Sequence, residues 1–480
     1  MLFRKKFNVF VTVIVILFIF IGCTNTKKDK ENTTLTAEFS AAQVTGNAPL
    51  TVQFVDNSTG NITLREWDFD CDGVTDYTGS NPTYTYNTQG TYSVKLTVTG
   101  PDGTAEKIKN NYISVLTDTN YVWTYIIGGP DYDVLNCSCG DSFGHIYLSG
   151  YFNDVVNFAN DWNLEDTKTA SGESDIFITK LSSSGTYSET IKIGGSYSEE
   201  VRGICTDTNG NVYITGFFND IVNFATDWQQ EDVKISAGYC DAFVTKIDAT
   251  GNYCWTRVFG GTEYDAANAI CADTAGNIYV TGYFQASVNF AADWNLDDIK
   301  TCAGSTDVFV VKLTPDGNYE WTYTIGGVQS DGAYAICSHS SGSIYVTGFF
   351  SDTVDFGADW GIEDTRTSSG SWDVFVTKID PGGYYCWSRA IGGTGADIPW
   401  SIVTDENDNV YVAGYFEDSV NFANDWNGSE IKTSAGSYDA FITKISYINN
   451  YCWTHRIGST GFDAAYSLCA DVNGNIYVSG

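Results

Sequence analysis

Methionine occurs once, proline seven times and histidine three times in 480 residues. Three histidines leave little material for histidine-based catalysis or a transition-metal centre. Positive charge is also scarce: Lys plus Arg total 25 against 59 Asp plus Glu, a formal net charge of −34. Such a field repels a phosphate backbone and excludes nucleic acid as a partner. No nucleophile motif, Gly-rich phosphate loop or Cys-x-x-Cys zinc pair is present. Aromatic residues and glycine are plentiful, with 31 Tyr, 28 Phe, 13 Trp and 48 Gly, which favours strands and tight turns over helices. Apolar residues make up 43% against 18% charged, enough to bury a core and to exclude disorder.

Arg4, Lys5 and Lys6 precede an apolar run from Phe7 to Ile21. At about 15 residues it falls short of the ~20 that cross a hydrocarbon core as a helix. The run ends in Phe20-Ile21-Gly22-Cys23, and a small residue directly before Cys resembles the bacterial lipobox. That resemblance implies removal of residues 1–22, a lipid on Cys23 and a membrane-anchored lipoprotein of the bacterial cell envelope, exposed outside the cytoplasm. An ordinary signal peptide or an uncleaved anchor is the other reading. Residues 23–34 are polar and lysine-rich, which makes them a tether.

Residues 35–117 alternate with period two between turn residues, as in Tyr92, Val94, Leu96 and Val98, a pattern that suits a two-sheet sandwich. Ala48-Pro49-Leu50-Thr51-Val52-Gln53-Phe54, Trp67-Asp68-Phe69-Asp70-Cys71-Asp72-Gly73 and Gly90-Thr91-Tyr92-Ser93-Val94 resemble the motifs of a PKD domain. The resemblance implies an immunoglobulin-like extracellular module, usually a spacer or a contact domain. Asp68, Asp70, Asp72, Gly73 and Asp76 follow the spacing of a calcium loop, but Gly79 stands where the last carboxylate belongs. The loop therefore either holds Ca²⁺ or folds as a hairpin turn whose Asp side chains bond backbone N–H groups. No other cofactor is expected.

From residue 121 to 480 a 66-residue period governs the chain. Trp123, Trp255, Trp321, Trp387 and Trp453 share it, broken only by Glu189, and Gly150, Gly216, Gly282, Gly348, Gly414 and Gly480 share it without a break. Each unit reads as four strands, for example around Ala269–Ala272, Ile278–Phe284, Asp307–Leu313 and Tyr319–Ile325. Four strands repeated head to tail predict the blades of a β-propeller. The Asp-x-x-Gly-Asn turn, the Ile-Tyr-Val-Thr-Gly strand and the Asp-x-Phe-Val-Thr-Lys strand resemble the seven-bladed β-propeller repeat of bacterial surface proteins. The expected fold is thus all-β, an immunoglobulin-like sandwich followed by a propeller with five full repeats and a partial one. Tyr121–Gly128 is expected to form an isolated fourth strand, and the chain to continue beyond Gly480 and close at six or seven blades.

Cys139, Cys205, Cys271, Cys337 and Cys469 occupy one repeat position, with Val403 in the remaining unit, so that position asks for a small apolar group. Cys254, Cys386 and Cys452, which precede the blade Trp, are also expected to pack. The loop after the second strand repeats an acid–Trp pair: Asp161-Trp162, Asp227-Trp228, Asp293-Trp294, Asp359-Trp360 and Asp425-Trp426. Symmetry would set these on a rim able to stack on sugar faces or hold cations; alternatively each Trp plugs its own blade. The function that follows is non-catalytic adhesion, with the propeller binding a protein or glycan at the cell surface. A polysaccharide-active enzyme and a passive envelope spacer are the alternatives.

Overall fold

The computed structural model describes residues 34–116, 124–471 and 474–480. Two compact units divide at Val122 and Trp123. Cys23 and the leader lie outside the described residues. Among those described, no helix is long and apolar enough to cross a membrane, and the helical elements are single 3-10 turns.

The first unit is a two-sheet β-sandwich. One sheet pairs Phe39–Ala41, Leu50–Asp56 and Thr83–Tyr86; the other orders Thr45–Asn47, Gly103–Leu116, Gly90–Gly100, Leu64–Asp68 and Tyr77–Thr78. Alternation explains both sheets: Leu50, Val52 and Phe54 are buried while Thr51, Gln53 and Val55 face out. Trp67 is fully buried among Phe39, Phe54 and Phe69, and its indole N–H donates to Gly79 O at 2.9 Å.

The second unit repeats one four-stranded antiparallel sheet five times, each sheet built in chain order from one repeat. The third blade comprises Ala266–Ala272, Ile278–Phe284, Asp307–Leu313 and Tyr319–Ile325. A sixth, two-stranded sheet joins Ser467–Ala470 and Ile476–Ser479. First strands of consecutive repeats pack against each other, which places all six around one axis. The expected all-β architecture is therefore observed. Between second and third strands each blade carries an unforeseen ribbon, Ser287–Asn289 with Ile299–Thr301 in the third. Of the expected fourth strand at Tyr121–Gly128, residues 121–123 lie outside the described residues and residues 124–128 have no strand pairing; Ile126 N donates to Asp161 Oδ2 at 2.7 Å.

The Asp-x-x-Gly-Asn motif is a side-chain clamp. Asp273 Oδ1 accepts from Ala275 N and Asn277 N, both at 2.9 Å, and Oδ2 accepts from Asn277 Nδ2 at 2.8 Å and from the buried Tyr279 hydroxyl at 3.1 Å. Blade cores are built from the inward residues of neighbouring sheets, so each core is shared: Tyr213 and Val244 pack with Ile270, Val280, Phe284 and Phe309.

The glycine that keeps the period has a different task. Gly282 pairs with Ala267, and a Cβ there would lie 2.0 Å from Ala266 O; at Gly216 the same distance, to Glu200 O, is 1.9 Å. This contact coincides with a β-bulge that leaves one first-strand residue out of the ladder in each blade. Gly282→Ala is expected to cost about 1–3 kcal/mol through backbone displacement. An unchanged denaturant midpoint for that variant would remove the close contact as the cause of the bulge.

Candidate functional site

The bulge decides what faces the axis. Its register shifts fall between Val201 and Gly203, Ala267 and Ala269, Ala333 and Ala335, and Pro399 and Ser401, freeing Arg202, Asn268, Tyr334 and Trp400. Asn136 and Tyr466 hold the equivalent positions in the first and last repeats. These six residues, with Glu200 and Tyr283, line one axial cavity of about 640 Å³. The ring is divided into two arcs. Asn136, Arg202 and Asn268 are consecutive and polar; Tyr334, Trp400 and Tyr466 are consecutive and aromatic.

Hydrogen bonds running from blade to blade fix the polar arc. Asn136 Nδ2 donates to Val201 O at 2.8 Å and Glu200 Oε1 at 3.2 Å; Arg202 Nη1 donates to Asn268 Oδ1 at 2.9 Å; Asn268 Nδ2 donates to Ala333 O at 2.8 Å. Glu200 Oε1 also lies 3.5 Å from Arg202 Nε, so the cavity's cation has its counter-charge beside it. The aromatic arc is a sequence of ring contacts, Tyr334 to Trp400 at 4.7 Å and Trp400 to Tyr466 at 5.8 Å. Trp400 Nε1 is buried without an acceptor, so the cavity meets carbon edges and faces of that indole rather than its N–H. Burial pushes the Tyr334 hydroxyl above its ordinary value, against the opposing pull of Arg202. Sequence reading missed this ring. Its signal was the one position in a faithful repeat where Asn, Arg, Asn, Tyr, Trp and Tyr follow one another.

The acid–Trp pairs are occupied within the fold. Trp162, Trp228, Trp294 and Trp360 donate their indole N–H to Gly185, Gly251, Gly317 and Gly383 O at 2.6–2.9 Å, and Trp426 donates to Asn449 O at 2.8 Å. Their rings receive a residue from the preceding repeat: Tyr125 on Trp162 and Tyr323 on Trp360 at 4.1 Å, Arg257 over Trp294 and Arg389 over Trp426 at 5.2 Å. The acids do likewise. Asp227 Oδ2 accepts from Lys192 N and Asp359 Oδ2 from Thr324 N, both at 2.9 Å. Asp293 lies 3.4 Å from Lys234, and Asp425 lies 3.3 Å from both Arg366 and Arg389. Asp227 and the pairs at Asp293, Asp359 and Asp425 thus fasten consecutive blades, and Asp161 with Trp162 holds the segment around Tyr125 and Ile126.

In the first unit, carboxylate oxygens of Asp68, Asp70 and Asp76 lie within 4.8 Å of one another. Asp72 is not in this group; its Oδ1 accepts from Val74 N at 2.7 Å. Asp68 is 7% exposed, and its Oδ1 is buried without a partner. Burial, with the neighbouring acids, raises Asp70 above the usual carboxylate range. Three hard oxygen donors, one of them unsatisfied, suit a calcium ion.

Among the described residues all cysteines are free. Cys139, Cys205, Cys271 and Cys337 pack as expected, and burial pushes the thiol of Cys139 up to about 12. The expectation for Cys469 is corrected: it is exposed on the two-stranded last sheet. The expectation for Cys254, Cys386 and Cys452 is corrected: they are exposed, because alternation on the outer strand turns them away from Trp255, Trp387 and Trp453. The three histidines are dispersed. His145 Nδ1 lies 2.7 Å from Asp141 Oδ2, His339 Nδ1 lies 3.1 Å from Asp408 Oδ1, and the His455 ring lies tilted against Trp453 at 4.7 Å.

Residues 32–115 match the PKD domain family, and residues 255–283 and 387–415 match the Beta-propeller repeat family. The chain carries a PKD domain followed by β-propeller repeats. An uncharacterized WD repeat-containing protein of Acanthamoeba polyphaga mimivirus is 24% identical over 76% of this chain and 31% of its own length. Regulatory protein FlaEY of Caulobacter vibrioides is 26% identical over 44% of this chain and 22% of its own length. The chain thus spans under a third of either curated relative. A solution NMR structure from Methanosarcina mazei, 24% identical, covers 25% of this chain and 81% of its own with a TM-score of 0.16. A Synechocystis apocarotenoid oxygenase mutant, 9% identical, covers 76% and 68% with a TM-score of 0.34. Neither structure bears on activity.

The propeller repeats also bury acids in pairs that sequence reading missed. Asp241 with Asp265, Asp307 with Asp331 and Asp373 with Asp397 are nearly inaccessible, and Oδ1 of Asp241, Asp307 and Asp373 has no partner. In the first and fifth blades a cation answers: Lys192 and Arg456 reach Asp175 and Asp439 at 2.6 Å. The equivalent positions in the three middle blades are Val258, Thr324 and Ala390. Burial accordingly pushes Asp241, Asp265, Asp331 and Asp373 up to about 6, and Asp397 to about 7. Such carboxyls bind protons more tightly folded than unfolded, so their stabilising effect is complete below the ordinary carboxylate range and is lost as pH rises through 6 to 7. The propeller's melting temperature is expected to fall between pH 5 and pH 8. Asp241→Asn should flatten that fall, and a calorimetric profile as steep as wild type would contradict the assignment.

Proposed function

We propose that this is a non-catalytic, lipid-anchored protein of the bacterial cell envelope that binds a macromolecular partner, protein or glycan, through its propeller. One observation carries the reading. The scaffold residues repeat from blade to blade, while the axial position changes in kind from one arc to the other. A structural spacer has no use for such a departure, whereas a site does. The relatives, a WD repeat-containing protein and a regulatory protein, support a scaffold that works through contact. Phe20-Ile21-Gly22-Cys23 supports the anchor, and the converging Asp68, Asp70 and Asp76 support calcium as a stabiliser of the PKD domain.

Full-length protein extracted in mild detergent should bind envelope material saturably, and Arg202→Ala combined with Trp400→Ala should weaken that binding at least ~10-fold, about 1.4 kcal/mol. Absence of saturable binding, or binding indifferent to both changes, would sink the proposal. The intact mass should include a diacylglyceryl group that Cys23→Ala removes. Calcium should raise the melting transition of the PKD domain over that in chelator, since a ligand that binds only the folded form stabilises it by mass action. Asp68→Asn should abolish the rise; a transition unmoved by chelator rejects the calcium site.

A further inference from the structure

We infer that the axial cavity is a subsite for the neutral, unmodified end of a glycan, a reading that rests on the propeller's role as a binding scaffold. The two arcs supply what a sugar ring presents. A pyranose has a C–H face that packs on aromatic carbon and an edge of hydroxyls that both donate and accept. Trp400, flanked by Tyr334 and Tyr466, offers the first surface, with its polar atom turned into the protein. Arg202 and the two asparagines offer the second, and they are held in place by the next blade rather than by solvent.

Several features favour a sugar over a peptide. The lining of this cavity is rings, amides, Arg202 and Glu200, and the aliphatic Leu135, Ile204 and Ile270 line a second axial cavity that shares the six ring residues. Arg202 Nη2 and the hydroxyls of Tyr334 and Tyr466 make no hydrogen bond among the described residues, which leaves donors and acceptors of both senses directed at small polar groups. Charge sets the remaining choice. Glu200 beside Arg202 neutralises the cavity's cation, and the chain's net charge of −34 opposes an anionic polymer. A cation such as a lysine-rich peptide would have to displace Arg202 from Glu200. A volume of about 640 Å³ lies within the range of small-molecule sites and suits a short oligosaccharide.

The position on the repeat strengthens the inference. A bulge residue contributes nothing to the ladder at that point, so its identity is free of the constraint that keeps the rest of the blade alike. The six residues nevertheless segregate into a polar half and an aromatic half, and an amphipathic ligand lying across the axis would meet both.

The test is calorimetric titration of the full-length protein with cellotriose, maltotriose, xylotriose, laminaritriose and N,N′-diacetylchitobiose, with trigalacturonate as the charged control. At least one neutral probe should bind saturably in the micromolar-to-millimolar range, and trigalacturonate should not. Trp400→Ala and Arg202→Ala should each weaken binding by about tenfold or more, while Trp400→Phe, which keeps a ring face, should stay within about threefold. Melting curves of the three variants identify any that is unfolded, and Trp400→Phe then carries the comparison. Failure of every neutral probe overturns the glycan assignment. If envelope protein still binds and Trp400→Ala abolishes that binding, the scaffold reading survives without it; if nothing binds, both fall. A neutral probe that binds equally well to Trp400→Ala also overturns the axial site.

Discussion

The structure turns on a contact that has no room for a methyl group. Where the second strand of each blade passes the first, a backbone carbonyl approaches glycine so closely that a Cβ would overlap it, at Gly282 by lying 2.0 Å from Ala266 O. The inner strand gains an extra residue there, and that residue leaves the ladder. The same glycine that marks the period therefore marks a position released from the ladder. Five such releases around an axis, with Tyr466 at the equivalent position of the last repeat, make a ring whose composition departs from that of the scaffold that holds it.

Holding the blades in sequence is the work of the acid–Trp loops. Each indole is bonded to its own blade through nitrogen, Trp294, Trp360 and Trp426 are covered by a residue of the preceding repeat, and the adjacent Asp meets a backbone N–H or a cation of the residues before it. Individually these partly exposed pairs are worth little. Their value is registration: neighbouring sheets share one hydrophobic core, as with Val244 against Ile270 and Phe309, and a slipped blade would expose it.

The strands, turns and period were legible because they depend on local rules. Alternation in Ile278–Phe284, the Asp273 clamp and the returning glycine each follow from spacing within one repeat. The chemistry outside the period was not. Asp241 and Asp265 are separated by a whole hairpin, and in a chain with 59 acids no pair stands out until the fold buries both. Searching for sameness also points away from the axial ring, since Arg202 and Trp400 look like lapses in a repeat. The Trp loops drew attention for the opposite reason, being regular, and their regularity came from serving every seam alike. In the loop from Asp68 to Asp76, spacing offered Asp72 alongside the other three acids, but the turn uses that side chain on Val74 N.

This division suggests how a repeat scaffold acquires a site. A residue that packs in every blade is constrained by its neighbours on both sides, and the shared cores leave little latitude for change. The bulge residue meets counterparts in the adjoining repeats, as Arg202 does Asn268 and Tyr334 does Trp400, and aromatic residues of its own second strand, as Arg202 does Phe217 and Tyr334 does Phe349. A change at one blade is then felt chiefly by the ring. Recognition can differentiate there while the cores, seams and clamped turns stay as they are, because the strand that presents the ring has already given up one ladder position to do so.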